Sequence, residues 1–336
     1  MRFKYLKGLG KASKYVAIGF PFLQIYQLSH FKGFRKFLEC LYLSLQLLTL
    51  KKKLPHNLQE NLSDRHFKIK EGLNSAFFMD TSWYKGTFLV GIIKTNKQQP
   101  YFIKYFKNQA DADNEFHRSI NFYSAASNIF TLSKCVRNEQ KVLYYEYLEN
   151  SHKLVNTNTL AELAIKLVDT QKHKESLPIH LQFNFDEILK NTFWKDHDSL
   201  YKMFSSVIHK QWENSENCYL TYLAHGDYTP WNSFFDKKNE ICLIDYERST
   251  QRVLFCDFFH LFFQDISKSC FKDILDKIEP YFPLNKNQQD LYYLSLYLLE
   301  EISLDLSDYT KTGGHYYLNN LIVHKVKSFI EASRLI

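Results

Sequence analysis

Two short stretches in the second half of the chain place polar residues at a spacing that few folds produce. Residues 224–232 read AHGDYTPWN, and residues 241–247 read ICLIDYE. Asp227 and Asn232 lie five residues apart across a proline-containing loop, and Asp245 ends an apolar strand 13 residues later. Asn and Asp oxygens suit a hard cation such as Mg²⁺, so side chains at these loop and strand ends can converge on one metal ion. Another aspartate beside that ion can orient a hydroxyl nucleophile and accept its proton.

This spacing resembles the HxDxxxxN…D arrangement of the protein-kinase-like superfamily. In the form HGDxxPWN…IDxE it is most similar to the aminoglycoside phosphotransferase and choline kinase branch. The resemblance implies that Asp227 is the catalytic base and that His225 supports the catalytic loop. It also implies that Asn232 and Asp245 bind Mg²⁺. Glu247 falls where the family often has a second acid after the metal-binding aspartate.

The same resemblance requires a strand-borne lysine upstream, and Lys104 in Tyr101–Phe106 (YFIKYF) is the candidate. A lone lysine in a strand usually lies on a solvated face, but the downstream acids favour the functional interpretation. In that interpretation Lys104 contacts the phosphates of ATP. Glu115, near the start of a predicted helix, is the candidate partner of this lysine. Asp111 and Asp113 are rivals for the pairing, because helix N-termini attract acids in any case.

Two further segments fit the same resemblance. The run YEYLE at 145–149 follows an apolar strand at the junction that the family has between its lobes. By resemblance the backbone of Glu146, Tyr147 and Leu148 hydrogen-bonds adenine, and the alternative is an ordinary strand end. Asp257, in the run CDFFH, fits the downstream aspartate that such families use for structural support.

The loop that would cover the phosphates departs from the protein-kinase pattern. No G-x-G-x-x-G turn occurs, and the corresponding residues 77–86 offer only Thr81, Ser82 and Gly86. Asp245-Tyr246-Glu247 replaces DFG, and no APE motif follows it. The small-molecule branch often lacks the glycine-rich loop, so these departures favour that branch over protein kinases.

The hydrophobic patterning changes near residue 150. Between 66 and 148 the sequence predicts a hairpin of 87–94 with 101–106, a helix over 111–126 and a strand over 141–147. Beyond it the chain is mostly helical except for a β-like run at 241–246, with helices predicted at 159–173, 185–191, 199–213, 288–304 and 317–332. The pattern predicts an α+β chain with a small β-rich N-lobe and a larger helical C-lobe, and the resemblance implies that the two form a bilobal protein-kinase-like fold. We assign 1–60 to a basic helical extension, 61–148 to the nucleotide-binding N-lobe and 149–336 to the catalytic and acceptor-binding C-lobe.

Positive charge is concentrated at the N-terminal end. The whole chain carries a formal +7, but residues 1–53 hold eleven Lys/Arg against one acid, a balance of +10, which leaves −3 for residues 54–336. The charge therefore does not indicate a nucleic-acid partner. Two apolar runs, 15–28 and 37–50, fall short of the roughly 20 apolar residues of a bilayer span and are compatible with amphipathic helices. The extension either lies on an anionic membrane surface or packs on the small lobe.

These features together predict an ATP- and Mg²⁺-dependent phosphotransferase acting on a hydroxyl of a small molecule. The HGDYTPWN stretch is also similar to phosphotransferase-like proteins encoded among bacterial surface-polysaccharide genes, which implies a sugar or sugar-lipid acceptor. The alternatives are an inactive nucleotide-binding or scaffolding pseudokinase and, third, a protein kinase. A cytoplasmic location is expected, either free or peripheral on the inner face of the membrane. Zinc-type cysteine spacing and a GxSxG elbow are absent from the sequence.

Overall fold

The structure is a computed structural model. It describes residues 15–18, 73–80, 87–95, 100–139, 141–148, 155–172, 185–212, 220–246, 248–264, 270–282, 288–312 and 316–336. By their contacts these residues fall into two units. The first unit takes the described residues of Met1–Leu154 and Trp231–Arg248, and the second takes those of Val155–Pro230 and Ser249–Ile336.

The first unit is built on a six-stranded antiparallel sheet. Its strands, in chain order, are β1 Tyr15–Ile18, β2 Leu73–Asp80, β3 Thr87–Thr95, β4 Tyr101–Phe106, β6 Cys135–Glu139 and β7 Val142–Glu146. They lie in the order β1-β2-β3-β4-β7-β6. The predicted hairpin is confirmed as β3–β4, in which Val90 pairs with Lys104. Its strands are rich in β-branched and aromatic residues, which pack well on a pleated surface.

Strand β1 differs from the sequence prediction, which favours a helix over 15–28. Tyr15–Ile18 instead pairs with β2, with Tyr15 opposite Met79 and Ile18 opposite Ala76. Tyr, Val and Ile all have high β-propensity, and an available sheet edge overrides a weak helical pattern. These four residues therefore extend the small-lobe sheet, while the other predicted helical residues of 1–60 lie outside the described part of the chain.

Helix α1, Gln109–Ala126, follows β4 directly. Asn108 caps it, because its side-chain oxygen accepts a hydrogen bond from the backbone N–H of Asp111 (2.8 Å). The buried positions recur every three to four residues, as expected for a helix with one inward face: Ala112, Glu115, Ser119, Phe122 and Ala126. One of them is a glutamate, which therefore faces inward.

A smaller sheet completes the first unit. Its strands are β5 Thr131–Leu132, β9 Ser233–Phe235 and β10 Ile241–Leu243, in the order β5-β10-β9. Strands β9 and β10 form an antiparallel hairpin with Leu243 opposite Ser233. This hairpin corresponds to the β-like run predicted near 241–246.

The second unit is mostly helical, as predicted. Its helices are α2 Thr157–Lys172, α3 Phe185–Leu189, α4 Asp198–Val207, α5 Cys256–Phe263, α6 Phe271–Ile278, α7 Gln288–Thr312 and α8 Tyr316–Leu335. Strands β8 Thr221–Ala224 and β11 Thr250–Val253 pair antiparallel within it. Aromatic rings of Phe255, Phe258, Phe259 and Phe282 pack edge-on or tilted with centroids 4.7–6.5 Å apart. No helix in the described ranges has both the length and the apolar character needed to cross a bilayer.

Candidate active site

Lys104 lies in the centre of a buried ionic arrangement in the first unit. It projects from β4 and is 4% exposed. Its Nζ atom is 2.7 Å from Oε1 of Glu115 and 3.2 Å from Oδ1 of Asp245. Burying an ammonium group is costly unless it is paired and hydrogen-bonded, and two carboxylates meet that requirement here. The structure thus brings together three of the residues singled out in the sequence.

The rival partners of Lys104 make other contacts at the start of α1. Asp111 accepts a hydrogen bond from Nδ2 of Asn108 (2.7 Å), and Asp113 accepts one from Nε2 of Gln109 (2.7 Å). Both of these contacts are exposed. Glu115 is the acid that α1 directs to Lys104, because it lies on the buried face of the helix.

Two side chains that the sequence did not reveal complete this arrangement. The hydroxyl of Tyr145 on β7 donates to Oε1 of Glu115 (3.0 Å) and lies 2.9 Å from Oγ of Ser119. Burial raises the pKa of Tyr145 well above its usual value, and the charge of Glu115 adds to the rise. The phenol therefore stays a hydrogen-bond donor to Glu115. Ser119 lies four residues after Glu115, one helical turn further along α1. This spacing places both side chains on the same face of the helix, where both contact Tyr145.

Asp245 lies two residues beyond the end of β10 and has a left-handed backbone, with φ 69°. Aspartate tolerates this region better than most residues, but the conformation still has to be held by its surroundings. The backbone N–H of Ile244 donates to the carbonyl of Asn232 (3.0 Å), so the hairpin fixes Asn232 beside the strand that leads into Asp245. An amide oxygen and a carboxylate are a donor set that fits Mg²⁺, which commonly takes one or two protein oxygens and completes its shell with water and phosphate.

Tyr246 anchors the chain immediately after Asp245. Its hydroxyl donates to the carbonyl of Ser133, and its ring stacks on Phe122 of α1 with centroids 5.3 Å apart. Burial, together with the charge of neighbouring groups, raises the pKa of Tyr246 far above its usual value, so it also remains protonated. The residue that stands in place of the DFG phenylalanine thus ties the Asp245 segment to the helix that carries Glu115.

The HGD loop belongs to the second unit and is held by Asp257. Its Oδ2 accepts the backbone N–H of His225 (2.8 Å), and its Oδ1 accepts that of Gly226 (3.0 Å). Gly226 has φ 81°, a left-handed conformation that glycine adopts without a Cβ clash. The backbone N–H of Asp227 donates to Nδ1 of the fully buried His225 (3.2 Å). These bonds fix the backbone of Asp227, whose side chain is 31% exposed.

One neighbour of Asp227 was missed in the sequence. Nε2 of His260, on α5, lies 3.5 Å from Oδ1 of Asp227. In the run CDFFH only Asp257 fits a known pattern, because a single histidine three residues after it matches no catalytic or metal-binding motif.

The predicted adenine-binding segment follows β7. The backbone N–H of Glu146 donates to the carbonyl of Lys134 (2.9 Å), and Oγ of Ser133 donates to the carbonyl of Glu146 (2.5 Å). Leu148 packs against an apolar cluster formed by Phe234, Cys242 and Ile244 of the β9–β10 hairpin region. Tyr147, which lies between Glu146 and Leu148 in the chain, is half-buried. Glu247 and residues 81–86 lie outside the described residues.

The strands and helices described above form a kinase-like fold, which comparison with solved structures establishes. Neither a family model nor a curated protein sequence matches the chain. Among solved structures it is similar to choline kinase LicA from Streptococcus pneumoniae, with a TM-score of 0.53 at 13% identity, over 82% of this chain and 99% of that one.

Two phosphotransferases of known structure give the same result. Spectinomycin phosphotransferase APH(9)-Ia, solved with ADP and spectinomycin, has a TM-score of 0.51 at 14% identity and covers 85% of this chain and 100% of its own. Aminoglycoside phosphotransferase APH(4)-Ia has a TM-score of 0.53 at 10% identity over 76% and 93%. At such identities the likeness establishes the fold, and it confirms the predicted bilobal kinase-like architecture.

Proposed function

We propose that this protein is a phosphotransferase that moves the γ-phosphoryl group of ATP to a hydroxyl of a small molecule. The observation that carries the proposal is the placement of Lys104 between Glu115 and Asp245. A fold of this class needs a lysine–glutamate ion pair and a metal-binding aspartate for phosphoryl transfer. The kinases with a similar fold act, by their names, on choline, spectinomycin and aminoglycosides, which supports a small-molecule acceptor.

Nucleotide binding is proposed to use the first unit. Lys104 would contact the phosphates, and Glu115, supported by Tyr145, would keep its ammonium group oriented. The backbone of Glu146, Tyr147 and Leu148 would meet the adenine edge. The apolar cluster beneath Leu148 supports this placement, because a flat aromatic base gains from contact with an apolar surface.

Asn232 and Asp245 would hold Mg²⁺. The ion would supply positive charge to the phosphate oxygens as negative charge develops on them. Asp245 also contacts Lys104, so its carboxylate would bind the metal ion and pair with the lysine at the same time. The proposed role of Glu247 as a second acid is a prediction from the sequence.

Asp227 is the proposed catalytic base. Its carboxylate would accept a hydrogen bond from the acceptor hydroxyl and take its proton as the hydroxyl oxygen bonds to the γ-phosphorus and the bond from that phosphorus to the leaving ADP breaks. His225 and Asp257 would act on the loop backbone, which they hold through three hydrogen bonds. Because charge stabilisation and alignment carry most of this reaction, a fixed orientation of Asp227 is its main requirement.

For the acceptor we propose a sugar or sugar-lipid hydroxyl. The support is the similarity of the HGDYTPWN stretch to phosphotransferase-like proteins encoded with surface-polysaccharide genes. The reaction would take place in the cytoplasm, where ATP is available. The +10 balance of residues 1–53 would favour a peripheral position on anionic lipid, and the alternative is that this segment packs on the sheet, as Tyr15–Ile18 does.

A labelled-phosphate transfer screen tests the proposal. Full-length protein is incubated with γ-labelled ATP, Mg²⁺ and panels of sugars, sugar-lipids, amino alcohols and aminoglycosides, with Lys104→Met as the inactive control. The proposal is supported if label is transferred to compounds of one panel and if this transfer is lost both in the control variant and when a chelator removes Mg²⁺. Label found on protein would favour a protein kinase, and ATP binding without transfer to any panel would favour a pseudokinase. Flotation with anionic vesicles, at low and high salt, tests the location of the chain.

A further inference from the structure

The second unit contains a buried ionic cluster that the proposed mechanism does not use. It comprises Arg252 on β11, Glu300, Glu301 and Asp305 on α7, and Lys325 on α8. Arg252 is 2.7 Å from Glu300 through Nε and 2.7 Å from Glu301 through Nη2. Nζ of Lys325 lies 2.8 Å from Glu301 and 2.7 Å from Asp305. Three carboxylates therefore share two cations.

Glu301 lies at the centre of this cluster. Burial by itself would raise the pKa of Glu301, but the positive charges of Lys325, His260 and Arg252 hold it well below its usual value. Its charge is thus fixed as negative across the physiological range.

His260 is placed between this cluster and the proposed catalytic base. Nδ1 of His260 is 3.8 Å from Oε2 of Glu301 and 3.4 Å from the hydroxyl of Tyr297, both on α7. Nε2 on the opposite side of the ring is 3.5 Å from Oδ1 of Asp227. The ring is 15% exposed, so little water competes for either nitrogen.

The chemistry of these neighbours sets which ring nitrogen carries a proton. An ionised Asp227 only accepts hydrogen bonds, so Nε2 must carry the proton that faces it. The Tyr297 hydroxyl can donate to a bare Nδ1 or accept from a protonated one. Nε2–H therefore faces Asp227 whichever partner Nδ1 takes on the other side of the ring.

We propose that His260 is a positioning residue that fixes the carboxyl plane of Asp227 and anchors it to the buried cluster through Glu301. The inference deepens the proposed function and rests on it for its catalytic consequence. With Oδ1 held by Nε2–H, the second oxygen of Asp227 meets the acceptor hydroxyl in one orientation. The 3.5 Å separation is long for a hydrogen bond, and such contacts tighten when substrates bind.

Paired substitutions separate positioning from simple packing. His260→Leu removes the donor, whereas His260→Gln keeps an N–H group at a similar reach. We expect the leucine variant to lose kcat by about 10- to 100-fold with ATP affinity unchanged, and the glutamine variant to recover most of that loss. His117→Gln is the matched control, because His117 is an exposed histidine of α1. Equal losses in both His260 variants, or losses that track a fall in thermal midpoint, would overturn the proposal.

A second measurement needs no transfer activity. The ring nitrogens of His260 are followed by NMR in full-length protein, in the wild type and in Asp227→Asn and Glu301→Gln variants. We expect Asp227→Asn to change mainly the Nε2 signal and Glu301→Gln mainly the Nδ1 signal, with His117 unchanged in both. An Nε2 signal unaffected by Asp227→Asn would refute the link. Absence of transfer in the wild type with these ring effects intact would instead refute the proposed function alone.

Discussion

The Nζ atom of Lys104 lies 2.7 Å from Oε1 of Glu115, and both side chains are almost fully withdrawn from solvent. One residue belongs to β4 and the other to α1, so the pair joins the helix to the sheet. Asp245 makes the second contact of the lysine, and Tyr145 makes a second contact of the glutamate. A change at Lys104 therefore acts on stability as well as on any bound phosphate.

Lys104→Met should destabilise the protein and abolish phosphate transfer. The substitution leaves Glu115 and Asp245 buried without their shared cation, which typically costs about 3–5 kcal/mol. The thermal midpoint and the ATP-dependent shift of that midpoint should both fall. Lys190→Met is the control, because the Lys190–Asp186 pair is 76% and 75% exposed and should contribute no measurable stability. Equal midpoints for the two variants would contradict this account.

Asp257→Asn should loosen the HGD loop. Asp257 accepts one backbone N–H on each oxygen. In asparagine an NH₂ group replaces one of these oxygens, and this group cannot accept a hydrogen bond. We expect a cost of about 1–3 kcal/mol, faster hydrogen exchange at the amides of His225 and Gly226, and reduced turnover. Asp236→Asn is the matched control, since Asp236 accepts both of its backbone N–H groups on Oδ1, an atom that asparagine keeps. Unchanged exchange at His225 would argue against the role of Asp257.

Glu301→Gln should weaken the second unit in a pH-dependent manner. The pKa of Glu301 is lowered from its usual 4.5 because, although burial opposes its charge, Lys325, His260 and Arg252 favour it. A lowered folded-state pKa adds stability above the unfolded value and loses it as the pH falls through the folded value. The variant should therefore be less stable than wild type near about pH 7, and the gap should narrow as the pH falls below the usual glutamate value of 4.5 toward the lowered folded-state value.

Urea unfolding at several pH values measures this difference in the free energy of unfolding. Glu331→Gln, an exposed position on α8, is the control and should match wild type throughout. A gap that stays constant down to the lowest pH would show that Glu301 contributes packing and not charge.

The hydrophobic pattern predicted a β-rich part followed by a helical part, and the resemblance carried by the HGDYTPWN and IDYE stretches implied the kinase-like fold. The β3–β4 hairpin, helix α1 and the helical second unit follow from local pattern. The spacing of Asp227, Asn232 and Asp245 carried the resemblance to the kinase-like pattern, and that resemblance selected Lys104, which its strand context alone would place on a solvated face. Tyr15–Ile18 was not predicted as a strand, because a four-residue edge strand depends on its partner β2 more than on its own pattern.

The residues that the sequence did not reveal are those whose partners are remote. Arg252 and Glu300 are 48 residues apart in the chain, and Tyr145 and Glu115 are 30 apart. Glutamates such as Glu300 and Glu301 in a helical segment are expected on the solvated face, and only the packed structure shows that they are buried. His260 could not be recognised from the sequence for the same reason, since its neighbours Asp227 and Glu301 are distant in the chain.

The most direct test of the central claim compares Asp227→Asn with wild type in phosphate transfer and in ATP binding. The account predicts that turnover falls by about 10²- to 10⁴-fold, because the general base is lost, while the dissociation constant for ATP is nearly unchanged. Asp236→Asn, in the same assay, should leave both quantities at wild-type values. Wild-type turnover in Asp227→Asn would contradict the assignment of Asp227 as catalytic base.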